Sequence, residues 1–153
     1  MNQLPNASTI LALWRQELLG ETLWYRRLAG DTFIFYFKGL PDDSFGINVR
    51  FDPPWRFRDP NGLLLGSGQI PEDSNLNRTV IQELLQKSNV ISTKLLIDII
   101  IDSYLEIQLI LEDDYIFESF CCDPSSTFSW QFRNKTARIK VIGSPQGLDV
   151  DCF

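Results

Sequence analysis

The chain contains no histidine. That absence excludes Ser-His-Asp and Cys-His triads, histidine-ligated zinc and imidazole acid–base chemistry in one step. Cysteine is scarce as well: there are three, with Cys121 beside Cys122 and Cys152 near the end of the sequence. An odd count with no CxxC spacing and no disulfide framework points to a reducing compartment. Long apolar runs are missing. The stretch around Leu95 to Ile101 is interrupted by Asp98 and bounded by Asp102, far short of the ~20 residues that span a bilayer. The opening residues, MNQLPNASTILALW, have neither a basic start nor an unbroken apolar segment, so they do not read as a signal peptide. No GxGxxG follows a strand pattern, and there is no P-loop or EF-hand loop. These absences favour a cytoplasmic protein with no cofactor and no metal site, and they lean against an enzyme.

Basic residues are the minority, 14 against 20 acids, for a net charge of −6. Such a chain repels phosphate backbones and anionic lipid, so neither nucleic acid nor membrane is an expected partner. The charge suits a basic protein partner, although a modest negative charge also serves solubility alone. A homodimer is compatible with the composition.

What the chain does have is apolar and aromatic bulk. Apolar residues make up 44% and aromatic ones 12%, with eleven Phe and four Trp, which favours β structure around a large core. Its 153 residues read as a single domain, 1–153. Ile10, Leu11, Trp14 and Leu18 follow helical spacing, with Asn6 or Ser8 as cap and Gly20 as stop. A second helix is expected from about Leu76 to Gln86. Strands are expected at Thr22–Leu28, Asp31–Lys38, Phe45–Phe51, Trp55–Arg58 and Leu63–Leu65. Five more follow at Val90–Ile101, Leu105–Leu111, Tyr115–Cys121, Thr127–Phe132 and Ala137–Ile142. Phe33, Phe35 and Phe37 share one strand face and Ile34 and Tyr36 the other, which describes a strand covered on both sides.

Two echoes recur in the same order. Gln16-Glu17-Leu18-Leu19 returns as Gln82-Glu83-Leu84-Leu85. Asp52-Pro53 with Trp55-Arg56-Phe57-Arg58 returns as Asp123-Pro124 with Trp130-Gln131-Phe132-Arg133. The pattern predicts an internal repeat with halves at about 8–66 and 74–143 and a tail at 144–153. The expected fold class is α+β. Two helix-plus-antiparallel-meander halves would form a curved sheet, sandwich or partly open barrel of about eight strands.

Candidate site residues follow from the second echo. Trp55, Arg56 and Arg58, with Trp130 and Arg133, could hold a carboxylate or phosphate, because guanidinium is a planar fork that stacks on aromatics. The competing reading is a rigid strand–turn joint with the indoles in the core and the arginines solvated. Glu112-Asp113-Asp114 and Asp149-Val150-Asp151 offer oxygen ligands for Mg²⁺ or Ca²⁺, but the first lies between strand patterns and reads better as a hairpin turn. Asp98 and Asp102 would carry raised pKa values if buried, or mark a sheet edge or turn ends. Cys121 and Cys122 read as inert thiols, and the tail from Gln146 to Phe153 can add to an edge strand or dock on a partner.

The order helix, meander, Pro54-Trp55-Arg56-Phe57-Arg58-Asp59 with Asn61-Gly62, helix and second meander resembles an uncharacterised bacterial family of small two-repeat α+β proteins. That resemblance covers roughly residues 14–142 and implies an immunity-like role toward a bacterial toxin. The leading expectation is therefore a non-enzymatic protein-binding module. The alternative is a small-ligand binder or atypical enzyme with a Trp/Arg-lined pocket between the halves.

Overall fold

The structure, a computed structural model, describes residues 6–22, 25–38, 42, 45–72, 74–120 and 129–153. Helix α1 (Ala7–Leu18) starts where the side-chain oxygen of Asn6 accepts the Thr9 amide at 2.9 Å, satisfying a donor that a helix N-terminus leaves open. Ile10, Trp14 and Leu18 lie one turn apart and are buried. Gly20, at φ 84, turns the chain away. Helix α2 (Ser74–Lys87) buries Leu84 and rests Val80, Ile81 and Leu85 against the core.

Eleven strands are formed among the described residues: β1 (Tyr25–Ala29), β2 (Thr32–Lys38), β3 (Ile47–Phe51), β4 (Trp55–Asp59), β5 (Gly62–Gly66), β6 (Leu96–Ile101), β7 (Ile107–Leu111), β8 (Tyr115–Ser119), β9 (Trp130–Asn134), β10 (Ile139–Ser144) and β11 (Gly147–Cys152). They make two antiparallel sheets, one of six strands in the order β1-β2-β3-β9-β10-β11 and one of five in the order β5-β4-β8-β7-β6. Both sheets keep two edge strands, so neither closes into a barrel. The protein is α+β, as the element pattern predicts.

Several details differ from the sequence expectation of about eight strands. The tail adds β11 to β10 as a sheet edge. Val90 to Thr93, expected as the start of a strand, belong to a short 3₁₀ stretch over Ser88–Thr93, and β6 begins only at Leu96. Its Ser88 hydroxyl donates to the Leu85 carbonyl, which continues the helical turn past α2. Nor does each meander form its own layer. At Asp52-Pro53-Pro54 the chain leaves the six-stranded sheet, and β4 pairs with β8 rather than with β3. The first five strands thus split three and two between the sheets, and the next five split three and two in the opposite sense.

The inner faces meet through aromatics. Phe117 of β8 lies 5.2, 4.7 and 4.6 Å, ring to ring, from Phe33, Phe35 and Phe51 of the other sheet. Each helix then rests against strands of both sheets, α1 on β6, β10 and β11, and α2 on β1 and β5. Leu18, Ile91 and Leu96 complete the buried cluster. Among the described residues no helix is long and apolar enough to cross a membrane.

Candidate functional site

Alternation along each strand decides where the sequence-predicted residues go. Trp55 and Trp130 point inward, 2% and 0% exposed. Each indole nitrogen donates to a hairpin carbonyl at 2.7 Å, Trp55 to Asp31 between β1 and β2 and Trp130 to Leu105 between β6 and β7. A buried indole N–H needs such a partner. Arg56 and Arg58 point outward from the five-stranded sheet, and Arg133 outward from the six-stranded one. The five residues therefore do not line one pocket: the indoles are in the core and the arginines are on two different sheets.

On the five-stranded sheet the arginines are engaged. Glu118 of β8 is buried and accepts from Arg56 Nε, from Arg58 Nη2 at 3.2 Å and from Gln108 Nε2 at 2.7 Å. Burial pushes the Glu118 carboxyl up. The hydrogen bond and charge of Arg56, then Arg58 and Gln108, outweigh it and hold the group below its ordinary value. Arg56 also lies over the Phe120 ring at 5.0 Å. A cleft of about 150 Å³ opens beside this clasp, lined in part by Glu106, Gln108, Glu118 and Phe120.

The outer face of the six-stranded sheet is built differently. Pairing registers set two lateral rows. One runs Tyr25, Tyr36, Asn48, Arg133, Lys140, Asp151, and the other Arg27, Ile34, Arg50, Gln131, Ile142, Asp149. Arg27, Arg50 and Arg133 thus share one face of an acidic protein. Among the described residues no carboxylate forms an ion pair with any of the three. Arg50 Nε and Arg133 Nε are buried without a hydrogen-bond partner among the described residues. The Arg50 guanidinium is held below its ordinary value by burial first and by Arg133, with Tyr36 opposing and Arg27 adding to the shift. Asn48, directly across from Arg133, is 1% exposed, and neither its carboxamide oxygen nor its nitrogen has a partner among the described residues. Arg133 lies 4.3 Å from the Phe153 ring centre and Lys135 5.8 Å from that of Tyr36. The acids of these rows sit on edge strand β11, where Asp151 meets Lys140 at 3.5 Å.

Sequence reasoning named Arg133 but missed Arg27, Asn48 and Arg50. The alternation of Ile47-Asn48-Val49-Arg50-Phe51 already puts Asn48 and Arg50 on one face. Which strand lies beside β3, and in what register, is the part no local pattern carries.

The other sequence candidates fall elsewhere. Glu112–Asp114 is the tight connection between β7 and β8, with Asp113 and Asp114 both at φ 59. Asp98 is not an acid raised by burial. It lies on edge strand β6, and the Arg15 hydrogen bond holds it below its ordinary value. Asp102 accepts the Tyr104 and Glu106 amides in the next turn. No three acids or thiols among the described residues are grouped to hold a metal ion. Cys152 is an exposed free thiol, and Cys121 and Cys122 lie outside the described residues. No protein-family model, curated protein or solved structure matches the chain. The Pro54–Asp59 step therefore assigns no family.

Proposed function

We propose that this chain is a non-enzymatic, cytoplasmic protein-binding module whose recognition surface is the outer face of the six-stranded sheet. The single observation behind it is Arg50, half-buried between Arg133 and Arg27 with no carboxylate of the described residues to pair with. Cations gathered in this way repel one another, and a partner's carboxylates relieve that repulsion. The net charge of −6 disfavours an extended polyanion at long range, so the complementary surface is a local acidic patch on a protein. A basic partner, the expectation from net charge alone, would have to dock away from this face. An immunity-like role is one form such a module takes.

The same reading includes duplication. Phe51 faces Trp130 and Arg50 faces Gln131 in one sheet, while Ser119 faces Trp55 and Glu118 faces Arg56 in the other. The matching registers, the paired indole-to-hairpin bonds and the three-and-two strand exchange support an ancestral repeat in which one copy turned Glu118 and the other Arg50 outward.

Affinity capture of the tagged protein from its host, with native sizing, tests the function. Wild type should retain a stoichiometric protein with an acidic segment, released by salt and lost in Arg50→Ser/Arg133→Ser. A clean single species, or a partner held equally by the double variant, would remove the proposal.

A further inference from the structure

We infer that Phe153 is a built-in cap on the cationic face, a ring that covers Arg133 in the free protein and gives way to a partner's carboxylate. This rests on the binding-module reading and names the regulation of that same surface. Strand alternation carries Asp149, Asp151 and Phe153 to the side of β11 that continues the outer face of the six-stranded sheet. From there two of them meet cations. Asp151 pairs with Lys140 of β10, and the Phe153 ring reaches across β10 to lie 4.3 Å from the Arg133 guanidinium of β9. At the opposite edge of the sheet, on β1, Arg27 is exposed.

The ring stands where an anion is wanted. An aromatic face attracts a guanidinium through its quadrupole, more weakly than the charge-assisted hydrogen bonds of a carboxylate. On the five-stranded sheet Arg56 has both, Phe120 at 5.0 Å and the Glu118 carboxylate on its Nε. Arg133 has the nearer ring and no carboxylate among the described residues, and its Nε is closed to solvent without a partner among them. Moving the ring aside uncovers the guanidinium. The fastening allows that movement. Phe153 is part-buried and is anchored through its backbone: its amide donates to the Arg138 carbonyl at 3.1 Å, and its carbonyl accepts from Arg138 Nε at 2.7 Å. The ring can therefore swing about its side-chain bonds while the strand end stays in place.

The test uses the full chain and a capped tetra-aspartate peptide as probe, titrated while the Arg133 Nε–H is followed by NMR. Phe153→Ala should bind the probe about fivefold more tightly than wild type, the factor that a ring–cation contact at a surface site costs a competing ligand. Its Arg133 Nε–H should also exchange faster with water. Phe153→Trp, whose larger ring holds a cation better, should bind the probe more weakly than wild type. A ring that only pads the fold, or one that helps to hold the ligand, gives no such opposite pair. Equal affinities, or two variants that shift the same way, would overturn the inference. Probe binding lost in Arg50→Ser but equal in wild type and both Phe153 variants would keep the binding face and remove the cap alone. No probe binding to any of them would remove both.

Discussion

The outer faces of the two sheets occupy the same register and solve opposite problems. In the five-stranded sheet, Glu118 sits across from Arg56 and gathers Arg56, Arg58 and Gln108 around one buried carboxylate. In the six-stranded sheet, the residue at that register position is Arg50, across from Gln131, and the nearest charges are further arginines. One face is closed internally; on the other, charge and hydrogen-bonding capacity find no partner among the described residues. Even on the closed face Arg58 Nε has no partner among the described residues, so the contrast rests on charge balance and not on complete satisfaction. Three arginines gathered with no carboxylate partner among the described residues are what the proposed binding surface requires.

The largest expected effect lies just beneath these faces. A Cβ at Gly143 would lie 2.1 Å from Trp130 Cε2, inside a fully buried indole, whereas one at Gly66 meets the Trp55 carbonyl oxygen at an ordinary 3.5 Å. Gly143→Ala should cost at least about 3 kcal/mol, the upper range for overpacking. Gly66→Ala should stay within about 0.5 kcal/mol in the same urea titration.

Glu118→Gln comes next. Removing the carboxylate strands Arg56 and Arg58, and the loss should be about 3 kcal/mol, at the low end for breaking a buried pair because both arginines are half-exposed. The same group sets a pH dependence. Its folded-state pKa is depressed, so its contribution is complete above the unfolded value near ~4.3 and is lost as pH falls through the folded one. Thermal scans below pH 5 should show this fall in wild type and a shallower one in Glu118→Gln.

Arg50→Glu sharpens the comparison by copying the closed face onto the open one. A carboxylate between Arg27 and Arg133 should raise stability by about 1 kcal/mol and abolish partner capture. Among the smallest is Arg15→Ala, at the exposed pair with Asp98, which should change stability by less than about 0.5 kcal/mol.

Local pattern carried much of the fold. The Ile10, Trp14 and Leu18 spacing marked α1, Asn6 marked its cap, and the phenylalanine alternation of β2 marked a strand covered on both faces. The exchange of β4 and β5 into the second sheet was not legible, because the Asp-Pro-Pro joint signals a strand end without saying which neighbour comes next. That gap also scattered the candidate site. Trp-x-Phe-Arg draws the eye as a motif, yet alternation sends its tryptophans inward, and the recurring arginines Arg58 and Arg133 face outward on different sheets. The cationic face is assembled from β1, β3 and β9, and Arg27, Arg50 and Arg133 become neighbours only through long-range register.

The most direct measurement is equilibrium unfolding of Arg50→Gln and Glu118→Gln side by side. Glu118→Gln should lose about 3 kcal/mol, and Arg50→Gln should lose nothing within about 0.5 kcal/mol, or gain, because it breaks no pairing among the described residues. Equal losses would mean that Arg50 belongs to the fold as Glu118 does, and would contradict a face held open for a partner.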